Sequence, residues 1–433
     1  MRRDYLRTKY LIIGAGLSGL SAAYHIKENC LLIEANNFVG GIASTFFHNG
    51  FKLDNGVHVL YFRHKSSYDW IRNTLQVELS EKVRTSSVWL ENSFVTFPIQ
   101  YHLSELSFTS KKKSINSILR TLFHASGKRS NDFESYSNTT FGNYLTDIFI
   151  RPYNEKMFGD SISKMNIDWM GDYLPKYSRI KMLMSTTGLT DSKYGRNSEF
   201  YYPAEGGIAS LAKKISDCLQ AAPIFGSELM SLSLNTKTAK FESGLEINYE
   251  YLINSIPLKS FLQKVDDLPI DISDSAGLLK KNSTTLLHIL VKGRIDKKEH
   301  WIYIPDPAIP FYRITIPGNI NTLNCPDGYF AITLEFGGDV YKSSAVLKTS
   351  LSALRAMSIL NDNLSEMEFH WKRLDCGYII YDENRELALK KIFPFLQRNQ
   401  IWSIGRYGSW EYSNMEDAIL HGRKVAEQII KQN

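Results

Sequence analysis

An apolar run over residues 10–13 stops at Gly14, small and apolar residues continue behind three closely spaced glycines, and a second apolar run over residues 30–33 closes on Glu34. Short unbroken apolar runs read as buried strands, and the longer segment between them as a helix. The pattern predicts a strand at 9–13, a glycine turn, a helix at 17–27 and a strand at 30–34, a βαβ start with an unusually short crossover. Farther on, β-branched and aromatic residues dominate 285–291 and 329–336, which predicts strands of a second sheet. Ala418, Gly422, Val425 and Ile429 recur at spacings of four, three and four, so 415–430 reads as an amphipathic closing helix. Residues 104–138 are Ser-rich and charged, with few long apolar runs, and predict a surface helical excursion with loops rather than core. No internal repeat is visible.

At 433 residues, 43% apolar and 22% charged, the chain can bury one large core or two linked ones, which excludes disorder and predicts two or three subdomains. Lys plus Arg less Asp plus Glu is 51 − 45 = +6. That mild excess suits an anionic ligand and argues against nucleic acid as a partner, since the longest basic run is only Lys111 to Lys113. Cys30, Cys218, Cys325 and Cys376 lie far apart without a C-x-x-C pair, so neither a zinc site nor a disulfide framework is expected, and the compartment reads as reducing. Arg2 and Arg3 ahead of an uncharged stretch imitate a signal peptide, but Gly14, Gly16 and Gly19 make better sense in a turn. No other segment approaches the roughly 20 apolar residues that cross a bilayer. A soluble, cytoplasmic protein is expected.

Gly14-Ala-Gly16-Leu-Ser-Gly19 follows a strand and opens a helix, the context that a dinucleotide fingerprint requires. Gly14 permits the tight turn, Gly16 lets backbone approach a pyrophosphate, Gly19 allows close helix–strand packing, and the helix N-terminus faces the anion. Glu34, twenty residues after Gly14, stands where a carboxylate can accept both ribose hydroxyls. This much fits FAD or NAD. Gly40-Gly41 and Thr45 favour FAD, because flavoproteins of the amine oxidase type carry a glycine pair there that lets the chain run back across the cofactor.

Over nearly its whole length the chain resembles the UDP-galactopyranose mutase-like flavoproteins, within the amine oxidase/protoporphyrinogen oxidase-like superfamily. Leu53-Asp-Asn-Gly56-Val-His58 resembles the family segment that sets a histidine near the isoalloxazine, and Phe97-Pro98-Ile-Gln100 its proline-containing substrate strand. Pro152-Tyr153-Asn154-Glu-Lys156-Met-Phe158-Gly is similar to a motif whose last aromatic is usually Trp. Phe200-Tyr-Tyr-Pro203-Ala-Glu-Gly206-Gly207 and Asn254-Ser-Ile-Pro257 look like strands returning to the flavin. Trp301-Ile-Tyr303, then Pro310-Phe-Tyr312-Arg313-Ile-Thr-Ile-Pro-Gly-Asn319, is the most specific stretch and is closer to eukaryotic-type members. Gly377-Tyr378 and Gly405-Arg406-Tyr-Gly408-Ser-Trp410-Glu-Tyr412-Ser-Asn414-Met415 resemble the flavin-closing turn. The order of these matches carries the resemblance, since a lone Tyr, Trp or His is more often core than ligand contact.

The resemblance implies an α/β fold: a Rossmann-like FAD-binding domain assembled from 1–100, 200–258 and 375–433, a helical insertion at 101–199 with a mobile substrate segment, and a mixed-sheet substrate domain at 259–374. It implies an isomerase in which the reduced flavin N5 attacks the anomeric carbon of a nucleotide sugar and displaces the nucleoside diphosphate. Reclosure through another hydroxyl then interconverts pyranose and furanose with no net redox change, for polysaccharide or glycoconjugate biosynthesis. NAD(P)H or another reductant would activate the flavin, and no metal or side-chain nucleophile is needed. Arg313, Tyr378 and Tyr412 would hold the diphosphate; Arg406 and Asn414 would border flavin and sugar, with His58, Gly405 and Met415 on the flavin. Gln100, Trp301 and Tyr303 would line the nucleotide side, with Phe158 nearby. Tyr173 stands where the family has a second diphosphate arginine, for which Lys176 or Arg179 are the available substitutes, so the base and the sugar stay open, as does a homo-oligomer. Two other readings remain: an FAD-dependent oxidoreductase, which needs an apolar or amine-accepting cavity, and a non-catalytic flavin-binding scaffold.

Overall fold

The computed structural model describes residues 5–123, 131–170, 178–188, 198–340, 342–361 and 366–432. Strand β1 (Tyr5–Ile13), helix α1 (Leu17–Ile26) and strand β2 (Cys30–Ile33) form where the apolar pattern predicts them. β1 runs parallel to β2 on one side and to the Glu246–Asn254 strand on the other, which also pairs in parallel with Ile401–Ser403. Thr238–Phe241 and Leu229–Ser233 extend this sheet in the antiparallel sense. An unbroken apolar strand means burial on both faces. Accordingly Tyr10 and Ile12 pack with Leu20 and Ile419, while Leu11 and Ile13 pack with Phe261 and Ile392.

The second sheet has the order Met367–Ile379, Lys281–Lys292, Tyr329–Gly337, Arg313–Thr315, Trp301–Tyr303, Ser86–Leu90, Ser93–Thr96. It is mixed, because Trp301–Tyr303 runs parallel to Ser86–Leu90 while its other pairings are antiparallel. It contains both strands expected around 285–291 and 329–336, and it reaches back to residues 86–96. A hairpin of β3 (Thr45–His48) and β4 (Phe51–Asp54) follows the glycine pair.

The Ser-rich stretch departs from expectation. It forms helices Phe108–Phe123 and Phe133–Phe141, and Ile118, Phe133 and Phe141 enter a core shared with Tyr153, Phe158 and Tyr312. Ser114 and Ser137 are fully buried and donate to the carbonyls four residues earlier, Ser110 and Phe133. A serine that satisfies its hydroxyl on its own helix is small enough to sit where two helices meet, so serine content did not mark a surface. The Met415–Lys431 helix forms as expected, with Gly422 packed against Ser18 of α1 and the Ser21 hydroxyl donating to the carbonyl of Ile419 at 2.7 Å. Among the described residues, no helix is long and apolar enough to cross a membrane.

Candidate functional site

A cleft of about 1160 Å³ is lined by residues of both sheets and of the loops at their edges. At one end the chain leaves β1 through Gly14, whose φ of +97° suits glycine, and a Cβ there would stand 2.7 Å from the Ser255 hydroxyl. That hydroxyl donates to the carbonyls of Ile13 and Gly14 at 3.0 and 2.8 Å, fixing the turn from the neighbouring strand. Gly16 then caps α1 with an ordinary backbone (φ −70°), and nothing lies within 4 Å of where its Cβ would be. Glu34, 6% exposed, accepts from the backbone N–H of Ala15 at 2.7 Å and of Asn36 at 2.9 Å, so the carboxylate is tied to the glycine turn. Gly40 and Gly41 complete this wall. Gly19 stays behind it, its Cα pressed against the Gly14 carbonyl, and Gly405 packs on Ser18. Both hold the turn rather than line the cleft.

At the other end stand Arg313, Tyr378, Arg406 and Tyr412, with Trp301, Tyr303, Tyr312 and His58 around them. Arg313 donates from Nε and Nη2 to Glu335 at 2.7 and 2.5 Å, and from Nη2 to the Tyr378 hydroxyl at 3.3 Å. Glu335 also accepts from the hydroxyls of Tyr312 at 3.0 Å and Thr315 at 3.3 Å. Burial opposes charge on Arg313, but Glu335 outweighs it and holds the guanidinium well above its ordinary pKa. Arg406 donates to the Ser413 carbonyl at 2.7 Å and lies 4.6 Å from the ring centre of Tyr412 and 5.5 Å from that of Tyr378. The imidazole of His58 is lowered to about 4, first by burial and then by the charges of Arg406 and Arg313, against Glu335; it is neutral at physiological pH.

The sequence-selected residues thus divide. Gly14, Gly16, Glu34, Gly40, Gly41, His58, Trp301, Tyr303, Arg313, Tyr378, Arg406, Tyr412, Asn414 and Met415 share the cleft. Asn414 also supports the fold, because its side-chain oxygen accepts from the Asp417 backbone and caps the 415–431 helix. Gln100 is buried in the Ile99–Tyr101 turn away from the lining, and Phe158 packs behind it between Trp169 and Tyr378, 5.6 Å from each ring. Tyr173 and Lys176 lie outside the described residues, and Arg179 donates to the Thr139 carbonyl at 2.9 Å.

Glu335 was not singled out from sequence, although a lone carboxylate in the apolar run 330–336 was a visible signal. Asp54 was also missed: buried, it accepts from Tyr202 at 2.6 Å and Thr45 at 2.7 Å, and burial pushes its pKa up to about 6. The lining carries six cations (Arg63, Arg84, Arg313, Lys372, Arg373, Arg406) and four carboxylates (Glu34, Glu199, Glu335, Asp375); Arg313 is paired with Glu335, Arg63 with Glu416 and Asp417, and Arg373 with Asp339 and Asp375, which leaves Arg84, Lys372 and Arg406 against Glu34 and Glu199. The balance favours an anionic guest.

Residues 12–76 match the family model of an NAD(P)-binding Rossmann-like domain. Among solved structures, a reduced UDP-galactopyranose mutase is 25% identical, with a TM-score of 0.92, covering 98% of this chain and 96% of that one. An Exiguobacterium sp. 255-15 protein assigned as a protoporphyrinogen oxidase is 15% identical with a TM-score of 0.75, covering 99% of each chain. A putrescine oxidase with redesigned cofactor binding is 14% identical with a TM-score of 0.68, covering 99% of this chain and 100% of the other.

Proposed function

For a chain whose fold is similar to that of UDP-galactopyranose mutase from end to end, we propose a flavin-dependent mutase that interconverts ring forms of a nucleotide-linked sugar. The observation that carries this reading is the pairing of a dinucleotide cradle with a cationic, tyrosine-lined pocket in one cleft. The cradle fits FAD. Space is open where a Gly16 Cβ would stand, and Asn55 Oδ1 lines the cleft buried and without a hydrogen-bond partner among the described residues. Gly14, Gly16, Glu34, Gly40 and Gly41 would hold the adenosine diphosphate half, with His58, Arg406 and Met415 toward the ring system.

When bound and reduced, FAD supplies an electron-rich nitrogen able to attack an anomeric carbon. The residues of this chain do the positioning. Nη1 of Arg313 makes no hydrogen bond among the described residues and would meet a diphosphate oxygen, with the Tyr378 and Tyr412 hydroxyls as further donors to the same group. Charge on that group grows as it departs, so donors fixed beforehand favour the departure. Glu335 keeps Arg313 oriented while remaining fully occupied itself, so it does not make the cleft an amine-accepting one. Neutral His58 adds no charge beside the flavin.

The test is incubation of the dithionite-reduced protein with UDP- and dTDP-linked hexopyranoses, followed by chromatographic separation of ring forms. Interconversion to a constant pyranose/furanose ratio supports the reading. Oxidised sugar or amine product, or no conversion of any nucleotide sugar, overturns it.

A further inference from the structure

Outside the cleft, three side chains remote in sequence converge on one point. Glu368 and His370 are two residues apart on the Met367–Ile379 strand and so share a face. His48 ends β3 and meets them from the hairpin. Nε2 of His48 and Nε2 of His370 each lie 2.7 Å from the same carboxylate oxygen of Glu368, and the ligand atoms of the three residues all fall within 4.8 Å of one another. The two imidazole rings are 4.4 Å apart between centres.

From this convergence we infer that His48, Glu368 and His370 form a binding site for a divalent transition-metal ion, with zinc the favoured occupant. Two imidazoles and a carboxylate are the donor set that zinc accepts in three-ligand sites, leaving a fourth position for water. Tetrahedral coordination at about 2.0–2.1 Å places ligand atoms about 3.3 Å apart. The present 2.7 Å contacts therefore need to open by only about half an ångström around an ion. The side chains are 28%, 48% and 25% exposed, so they can make that adjustment and solvent can supply the fourth ligand. Phe46 stacks against His48 at 5.7 Å and lies 5.5 Å from His370, walling the site on one side.

The position gives the ion something to do. Ser44, just before β3, and Lys372, two residues beyond His370, both line the cleft. An ion held here would brace the segment that follows the glycine pair against a strand of the second sheet, steadying two walls of the cleft without touching its contents.

The experiment is calorimetric titration of the chelator-treated full-length protein with Zn²⁺ at pH 7.5, paired with the visible spectrum of the Co²⁺ form. One equivalent should bind, with a tetrahedral Co²⁺ band and an upward shift in Tm. Removing even a group that supports a metal ligand costs about 10- to 100-fold in affinity, so His48→Ala and His370→Ala should each lose at least that much. Glu368→Gln, a near-isosteric change at a half-exposed position, should weaken binding at unchanged flavin content and unchanged Tm without metal. Absence of a stoichiometric site in the wild type, or unchanged affinity in the His48→Ala/His370→Ala double variant, overturns the assignment.

Discussion

Glu335 grips Arg313 by two nitrogens at once, Nε at 2.7 Å and Nη2 at 2.5 Å, so that the guanidinium offers the cleft one nitrogen rather than a fork. Under the proposed function Arg313 would answer to two demands, a ligand on one side and the buried carboxylate of Glu335 on the other.

Arg313→Ala should remove a charge-assisted bond worth about 1.5–3 kcal/mol and weaken UDP or dTDP binding by roughly 10- to 150-fold. It also leaves Glu335 buried and unpaired, which costs about 3–5 kcal/mol of stability. Combining Arg313→Met with Glu335→Gln should recover most of that stability and none of the binding. Nucleotide titrations and urea midpoints on the three proteins check both halves, and equal nucleotide affinity in wild type and Arg313→Ala takes Arg313 out of the site.

The glycines of the turn should separate folding from cofactor retention. Gly16 has a backbone that any residue adopts and empty space beyond its Cα, so Gly16→Val should fold with wild-type Tm in the flavin-free state yet purify without FAD. Gly14→Ala should lose stability before any cofactor is considered, because φ is +97° and the new methyl would meet Ser255 and Ile256 below 3 Å. Flavin absorbance per mole, beside the melting curve of the stripped protein, reads the two effects apart.

Acid should loosen the fold partly through His58. Its folded pKa of about 4 lies below the ordinary 6.5, so between these values the unfolded chain holds the extra proton; the contribution is full above pH 6.5 and lost as pH falls toward 4. Burial of His300, also at about 4, acts in the same direction. Asp54 acts oppositely, because its raised pKa of about 6 adds stability below pH 3.8 that disappears as pH rises through 6. Urea midpoints should therefore drop from pH 7 to pH 5 in the wild type and drop less in His58→Gln. Identical drops would assign the acid sensitivity elsewhere.

Turnover should depend on dithionite or NAD(P)H as an activator that is not consumed in step with product, since ring interconversion leaves no net electrons. Product per reductant well above one is the expected outcome. Peroxide formed in proportion to substrate loss, in air and without a reductant, would point to the oxidoreductase instead.

Much of this was legible in the chain because its signals are local. The glycine spacing, the apolar runs around it and the carboxylate at position 34 give strand, turn, helix and strand without reference to anything distant. The ordered aromatic motifs likewise brought Trp301, Tyr303, Tyr378 and Tyr412 to one cleft. What stayed hidden depends on depth and on pairing across the sheet. Arg313 and Glu335 face one another across adjacent strands, a relation that register creates and spacing does not. Phe158 and Gln100 sit in the right neighbourhood but one layer back, and no periodicity distinguishes a residue lining a cleft from one supporting it. The buried serines of the 108–141 helices mislead for the same reason, since composition shows a hydroxyl but not the carbonyl that satisfies it.

The packing of the Met415–Lys431 helix on α1 has a consequence for the order in which the molecule can become competent. The Ser21–Ile419 hydrogen bond spans 398 positions, and Glu416 and Asp417 at the head of that helix hold Arg63 beside the cradle. A ribosome delivers the glycine turn early and its supporting helix some 400 residues later. During that interval the turn lacks the partner that fixes α1, and contacts of such long range form only after a large loop has closed. A dinucleotide that needs the braced turn would then load only once residues 415–431 have left the ribosome. A chain stalled or cut just before Met415 would keep the whole fingerprint and still lack the helix that braces it.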